Sequence, residues 1–327
     1  MNRFQKFGLV SALALGVAAP AMAQTAWDLP VVWPAENYIT VNTQRFAEEV
    51  AAVTDGEVRI TIHPGGSLGF KGPDMFSAVR DGLVPIGDML LQQQTGDNPL
   101  LGLQSLPYLI DTYEEQVAFQ EFYRPVLNDV FAENNQKLLF TIPWPQQQVY
   151  TKKEINSIED FAGIKIRSSD ASATEIFRAA GMTPVQLPWG EVIPSLATGA
   201  IEAVGTSSPS AVDGSFWEFL THGYPTRHTW NLDAVSVNLD AWKQLSPEHQ
   251  EAIAEAAARM EPEFWQSAQD ADAEQLQVLA ENGITNAELD DATREELRTR
   301  AAPIRERLVS SPAGGTSCGG GTDLLCG

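Results

Sequence analysis

Strand-like and helix-like runs alternate along most of the chain, and this alternation constrains the fold more than any other feature. Residues 27–33 read as a strand ending at Trp33 and closed by Pro34. Residues 41–53 carry Val41, Phe46, Val50 and Val53 at helical spacing, and Asp55-Gly56 ends the run. Residues 57–63 put Val58, Ile60 and Ile62 on one face, the period of a half-buried strand. A turn at Pro64-Gly65-Gly66 leads into a helical stretch at 74–83, with Met75, Phe76, Val79 and Leu83 directed inward. Further strands are expected at 85–91, 138–144, 164–167, 182–187 and 201–205, and helices at 171–180 and 192–198. Elements alternating at this spacing predict an α/β fold with largely parallel sheets.

The last third changes character. Ser246-Pro247 is a helix start, with Ser as N-cap and Pro at the first helical position. The helical pattern runs on to Asn282-Gly283 with Pro262 inside it, which predicts one long helix bent at the proline. A helix of that length suits a bridge between two lobes. A charged helix is expected at 291–308. Residues 311–327 are Gly-rich and read as a flexible tail. The only two cysteines, Cys318 and Cys326, lie there, so a thiolate cluster or a core disulfide framework is ruled out. In an oxidising compartment they could close a small loop in the tail.

At the other end, Arg3 and Lys6 precede an apolar stretch at 8–19, and Ala21-Met22-Ala23 offers small residues where a signal peptidase reads. Residues 1–23 are therefore expected to be a secretory signal peptide. The stretch is shorter than the roughly 20 apolar residues that a membrane span needs. The chain has 43 Asp plus Glu against 21 Lys plus Arg, a net charge of −22. Such a field repels polyanions, which excludes nucleic acid and anionic membrane surfaces as partners. An exported, acidic, cysteine-poor chain reads as periplasmic.

Catalytic signatures are missing from the sequence. There is no Gly-x-Ser-x-Gly elbow, and Gly65-Gly66-Ser67-Leu68-Gly69 lacks the Lys-Ser/Thr ending of a phosphate loop. His222 and His228 have no His-Glu-x-x-His frame and read as surface or core residues rather than metal ligands. No metal or other cofactor is expected. Acidic residues are so plentiful that no pair stands out for glycoside hydrolysis.

Polar and aromatic residues do gather where strands end, and in open α/β sheets that is where ligands bind. Arg167 ends one strand and Trp33 another. Trp144 and Gln147 follow a third, Gln92 a fourth, Trp189 a fifth and Ser207 a sixth, while Asn37 lies just beyond Trp33. These eight are the candidate binding residues. One Arg among Trp, Gln and Ser groups suits a small carboxylate, because guanidinium bonds it bidentately and indoles exclude water.

The same residues carry a resemblance. Ile158-Glu159-Asp160-Phe161-Ala162-Gly163-Ile164-Lys165-Ile166-Arg167 is followed by Ala180-Gly181-Met182-Thr183-Pro184-Val185 and Leu187-Pro188-Trp189-Gly190-Glu191-Val192. Leu196-Ala197-Thr198-Gly199-Ala200-Ile201-Glu202-Ala203, Gly65-Gly66-Ser67-Leu68-Gly69, Leu106-Pro107-Tyr108-Leu109 and Leu245-Ser246-Pro247-Glu248 complete the set. In order and spacing, over roughly residues 27–309, this resembles the DctP-like solute-binding proteins of tripartite ATP-independent periplasmic (TRAP) transporters.

The resemblance implies an α/β, two-lobed periplasmic-binding-protein fold with a ligand cleft, hinge strands and a long bridging helix. Residues 24–144 plus about 235–275 would form lobe I, and 145–234 plus about 276–310 lobe II. It implies a monomeric receptor with no catalytic residues, which captures a small organic acid and delivers it to the TRAP permease subunits. Arg167 stands where family members hold the ligand carboxylate, and Trp189 where an aromatic touches the ligand. Many members carry a second Arg near the position of Gln147, and Glu-Asn-Pro where Thr206-Ser207-Ser208-Pro209 stands here. Both departures point away from sialic-acid-like and C4-dicarboxylate ligands and toward a monocarboxylate, whether hydroxy, oxo or aromatic. The competing readings are a secreted α/β hydrolase and the receptor of an ABC-type transporter.

Overall fold

Apolar side chains segregate onto two separate sheet systems, so the chain builds two lobes. The computed structural model describes residues 24–310; the expected signal peptide and the tail with Cys318 and Cys326 lie outside the described residues. In chain order the elements are β1 (Thr25–Pro30), α1 (Tyr38–Val53), β2 (Val58–His63), α2 (Met75–Arg80), β3 (Ile86–Leu90), α3 (Tyr113–Glu133) and β4 (Gln136–Pro143). Then follow β5 (Gln148–Thr151), β6 (Lys165–Ser168), α4 (Ala171–Ala179), β7 (Thr183–Gln186), α5 (Val192–Thr198), β8 (Ala203–Thr206), α6 (Ser208–Asp213) and β9 (His222–Tyr224). The chain returns through β10 (Leu232–Asn238) and α7 (Leu239–Trp242) to α8 (Pro247–Glu281), β11 (Thr285–Asn286) and α9 (Asp291–Ser310).

In the first lobe, β1 pairs with β2, and β10 lies between β3 and β4. Its cores join Trp27, Phe46, Phe140 and Val235 to Phe264 of α8, and Met75, Phe76 and Phe131 to Trp265. The second lobe has one six-stranded sheet, ordered β11-β9-β5-β8-β6-β7. Its cores join Ile166, Phe177 and Tyr224 to Leu297 and Ile304 of α9, and Tyr150 and Phe216 to Leu279 at the far end of α8. The long helix thus packs its first half on one lobe and its end on the other. Ser246 caps it, accepting from the His249 N–H at 3.1 Å, and the helix runs through Pro262 as one 35-residue element.

Four expectations need correction. The sheets are not largely parallel: the six-stranded sheet is mixed and β3-β10-β4 is antiparallel, since β5 and β10 each continue a segment that crosses between lobes and run antiparallel to both their neighbours. Leu83 does not point inward; it is 70% exposed in the turn after α2. The buried stripe of α1 is also rotated from the one expected: Val41 and Val53 face outward, while Ile39, Thr43, Phe46, Ala47 and Val50 are inside. The expected 27–33 strand ends at Pro30, which leaves Trp33 in the loop beyond it. Helix α3 was not anticipated; its capping box, Thr112 with Glu115, starts a helix that carries Pro125 inside.

Two segments cross between the lobes beside α8, one joining β4 to β5 and the other β9 to β10. They are hydrogen-bonded to each other, Trp144 N–H to the Asn231 carbonyl at 2.9 Å and Arg227 N–H to the Gln147 carbonyl at 3.0 Å. His228, on the second crossing, is a core residue: its Nδ1 lies 2.7 Å from Thr226 Oγ1 and its ring meets Phe177 edge-on. Burial pushes its pKa down to about 3. An unfolded histidine titrates near 6.5, so this contribution to stability is complete above that pH and is lost as pH falls toward 3. At about 1.4 kcal/mol per pH unit, acidification from pH 7 to 5 should cost wild type about 2 kcal/mol more than His228→Gln. Urea unfolding of both proteins at the two pH values measures this; equal losses would contradict it.

Candidate functional site

Strand β6 is central to the site because it runs parallel to both β7 and β8 and ends at the cleft. Arg167 is paired with Val185 and Val204 in those ladders. Its side chain is tied from both sides: Nε donates to the Leu187 carbonyl at 3.0 Å and Nη1 to the Gly205 carbonyl at 3.3 Å. Arg167 is 2% exposed, yet none of the ion pairs among the described residues includes it. Desolvation lowers its pKa to about 10, with the charge of Asp170 opposing the shift. A buried cation held by neutral carbonyls is an anion site in search of its anion.

Arg167 lines a cavity between the lobes with Trp33, Trp144, Gln147, Trp189 and Ser207. Leu90, Ser169, Thr206, Ser210 and Asn231 complete the wall. About 270 Å³ there is free of protein atoms, but only about 20 Å³ admits the centre of a water molecule. The lobes therefore stand nearly closed, and a solute of several heavy atoms enters by their parting. A larger hollow of about 510 Å³ adjoins it, sharing Trp33 and Trp189 and bounded by Gly65, Gly66 and Pro188. Lys71 and Glu191 form a 2.8 Å ion pair across that mouth.

The indoles are fixed by different means. Trp33 and Trp144 meet edge-to-face at 4.7 Å and both donate to Asp233, at 2.6 and 2.9 Å. Trp189 follows Pro188 in a short 3-10 turn, lies 6.1 Å from Trp33 and stacks on Phe216 at 6.4 Å. It packs against the apolar clusters of both lobes. Gln147 uses its amide N–H on the Pro145 carbonyl. Ser207 sits at the N-cap of α6, its hydroxyl 3.5 Å from that of Ser210.

Two of the eight candidates stand apart from the cavity. Gln92 is buried in the turn after β3, and its Nε2 has no partner there. Asn37 caps α1 by accepting from Ile39 N–H, and its Nδ2 donates to Asp213 at 2.6 Å, so its amide ties α1 to α6. Burial raises the Asp213 pKa to about 6. Other ties across the cleft are Gln93 Nε2 to the Ser169 carbonyl and Ser172 Oγ to the Ser105 carbonyl.

Sequence reading missed Asn231 and Asp233. They lie two residues apart, Asn231 just before β10 and Asp233 within it. Asn231 is 4% exposed and lines the cavity; its Oδ1 is buried without a partner. The signal was a pair of polar residues entering an otherwise apolar run.

Two lobes closing on a guanidinium outside any ion pair and three indoles make a site for a small anion, and the comparisons with known proteins give the family. The family model for bacterial extracellular solute-binding proteins of family 7, DctP, matches residues 30–311. The chain belongs to this family. The DctP7 receptor of Bordetella pertussis, solved as a protein binding pyroglutamic acid, is 28% identical with a TM-score of 0.85, covering 88% of this chain and 95% of that one. A marine metagenome TRAP solute-binding protein specific for pyroglutamate is 31% identical, also with a TM-score of 0.85, over 89% and 96% of the two chains. Among curated relatives, the ectoine/5-hydroxyectoine-binding periplasmic protein UehA of Ruegeria pomeroyi is 26% identical over 93% of this chain and 91% of its own. As a DctP-family protein, this one is a TRAP solute receptor for small organic acids and not an enzyme.

Gly205 links the fold to the site. Its carbonyl holds Arg167, and a Cβ there would overlap the Phe177 ring, with Cε2 at 2.6 Å. Gly205→Ala is expected to cost about 1–3 kcal/mol through overpacking. It should also weaken ligand binding by displacing the Arg167 tether. Thermal unfolding and calorimetric titration of the variant check both effects; unchanged stability would contradict the packing account.

Proposed function

We propose that this receptor captures a small monocarboxylate of the pyroglutamate kind, a single carboxylate on a compact body bearing one further polar group. The observation that carries the reading is Arg167, a buried cation that takes part in no ion pair and faces the nearly closed cavity. The ligand carboxylate takes its free guanidinium edge, which restores the missing charge partner in a water-poor site. Trp33, Trp144 and Trp189 cover the apolar body. The Asn231 amide, with its unpartnered Oδ1, is the natural reader of a ring N–H or a hydroxyl. Gln147 offers hydrogen bonds without a second positive charge, so a second ligand carboxylate would be desolvated without a cation. The pyroglutamate receptors similar to this chain support the size and class of solute.

The remaining parts of the reading follow from this role. Residues 1–23 direct export and are removed, and the receptor acts as a monomer in the periplasm. The split of the apolar clusters supports lobes made of 24–144 plus about 235–275 and 145–234 plus about 276–310, except that Tyr108 docks in the second lobe's core and Leu232 and Ala234 of β10 in the first lobe's. Closure over the ligand completes a surface drawn from both lobes, which the permease subunits read.

The test is calorimetric titration of ligand-free protein with pyroglutamate. Arg167→Ala should cost roughly 2–5 kcal/mol of binding, since the ligand carboxylate loses its only charged partner. Arg167→Lys should recover part of this, because an ammonium lacks the planar fork. Binding to Arg167→Ala within about threefold of wild type would overturn the anchor, since that corresponds to less than ~0.7 kcal/mol.

A further inference from the structure

Behind the indole wall lies a pair of acids that the binding scheme does not use. Asp88 on β3 and Asp233 on β10 are both buried, at 1% and 0% exposure. In the antiparallel ladder Asp233 faces Leu90 and Val235 faces Asp88, so all four residues share one face of the sheet. Leu90 on that face lines the cavity. Each oxygen of Asp233 accepts from a different cavity indole, Oδ2 from Trp33 and Oδ1 from Trp144. Neither oxygen of Asp88 has a protein donor.

Two bare carboxylates side by side in an apolar core repel each other and forgo hydration, so one must keep its proton. Hydrogen bonding decides which. Each Asp233 oxygen takes an indole N–H, which favours its charged form, whereas at Asp88 the pull of Trp33 is the smallest of the influences and opposes the rise only in part. Burial and the neighbouring Asp233 raise the Asp88 pKa well above the usual carboxylate range. Burial raises Asp233 as well, but the indoles and Asp88 draw it back. The pair thus carries one negative charge, seated on Asp233, with the Asp88 proton directed to it.

We propose that Asp233 is the positioning residue and charge filter of the site: its carboxylate clasps Trp33 and Trp144 together and places a fixed negative charge behind the wall they form. Arg167 comes from the second lobe, and these indoles from the first lobe and the crossing segment. A ligand anchored on Arg167 turns its other end toward that wall. An apolar or hydrogen-bonding end is accepted there, and a second carboxylate is repelled. This inference rests on the monocarboxylate reading and explains how the fold enforces it.

The experiment compares pyroglutamate with the diacid glutarate in calorimetric titrations of wild type, Asp233→Asn and Asp88→Asn. Wild type should prefer pyroglutamate; preference for glutarate would overturn the monocarboxylate reading itself. Asp233→Asn removes the charge and one of the two indole acceptors. It should weaken pyroglutamate about tenfold and lower the pyroglutamate-to-glutarate affinity ratio at least fivefold. Asp88→Asn, whose amide still donates to Asp233, should keep that ratio within twofold of wild type. A wild type that prefers pyroglutamate alongside an Asp233→Asn protein with the same ratio would overturn the charge filter alone, since a merely structural loss weakens both ligands alike. If Asp233→Asn does not fold, indole ¹H–¹⁵N spectra of wild type decide, assigned with Trp33→Phe and Trp144→Phe. Both indole protons should lie downfield of a solvent-exposed indole and exchange slowly; a free-indole shift for either one would sink the clasp.

Discussion

The rest of the molecule depends on the pairing of the two crossing segments. A chain that passes between lobes exposes backbone N–H and C=O groups at the narrowest part of the structure, where water is scarce. Here the segments satisfy each other, Trp144 with Asn231 and Arg227 with Gln147. That ladder brings one indole, one glutamine amide and one asparagine amide to the floor of the cavity. It also fixes the sense of β5 and β10, which is why each runs antiparallel to both its neighbours. The long helix α8 adds a third crossing and packs on both lobes. A hinge made this way bends without losing its hydrogen bonds, because neither segment has to leave its partner.

Electrostatically the receptor is built against its own net charge. At −22 its long-range field repels the anions it collects. Recognition therefore has to be local, within a Debye length of about 8 Å at physiological salt. Arg167 supplies it, and it does so because the backbone carbonyls of Leu187 and Gly205 orient the guanidinium without neutralising it. A carboxylate in their place would have given a more comfortable core and no binding site.

How far the sequence disclosed this depended on where each signal lay. The edges of β2, β3 and α8 and the end of α1 were legible because turn residues and capping residues mark them, as with Asp55-Gly56 and Ser246-Pro247. Arg167 and Trp189 were legible because a cation and an aromatic at strand ends are informative wherever the strands lie. Strand β10 was not legible: all seven of its residues are buried, so no alternation survives, and Asp233 and Ser236 inside it resemble loop polarity. The four-residue β5 was too short to show a period. Nor can local pattern reveal that Asp233 serves indoles 200 and 89 residues away in the chain. Asn37 and Gln92 were chosen by the same strand-end logic that found Arg167; long-range packing turned one into an interlobe tie and left the other in the turn behind Leu90.

The position of Trp189 has a consequence for leakage. Because its ring rests on the apolar clusters of both lobes, shutting the cleft gains hydrophobic contact whether or not a solute is inside. A receptor that shut freely while unloaded would present its transporter with a false delivery and waste a transport cycle. The counterweight is Arg167: unloaded closure strips water from a cation and offers it no anion. Loaded closure gains the same indole contact and discharges the penalty. The fidelity of delivery is then set by the difference between those two closures, and a solute's worth to the system lies as much in the charge it neutralises as in the surface it buries.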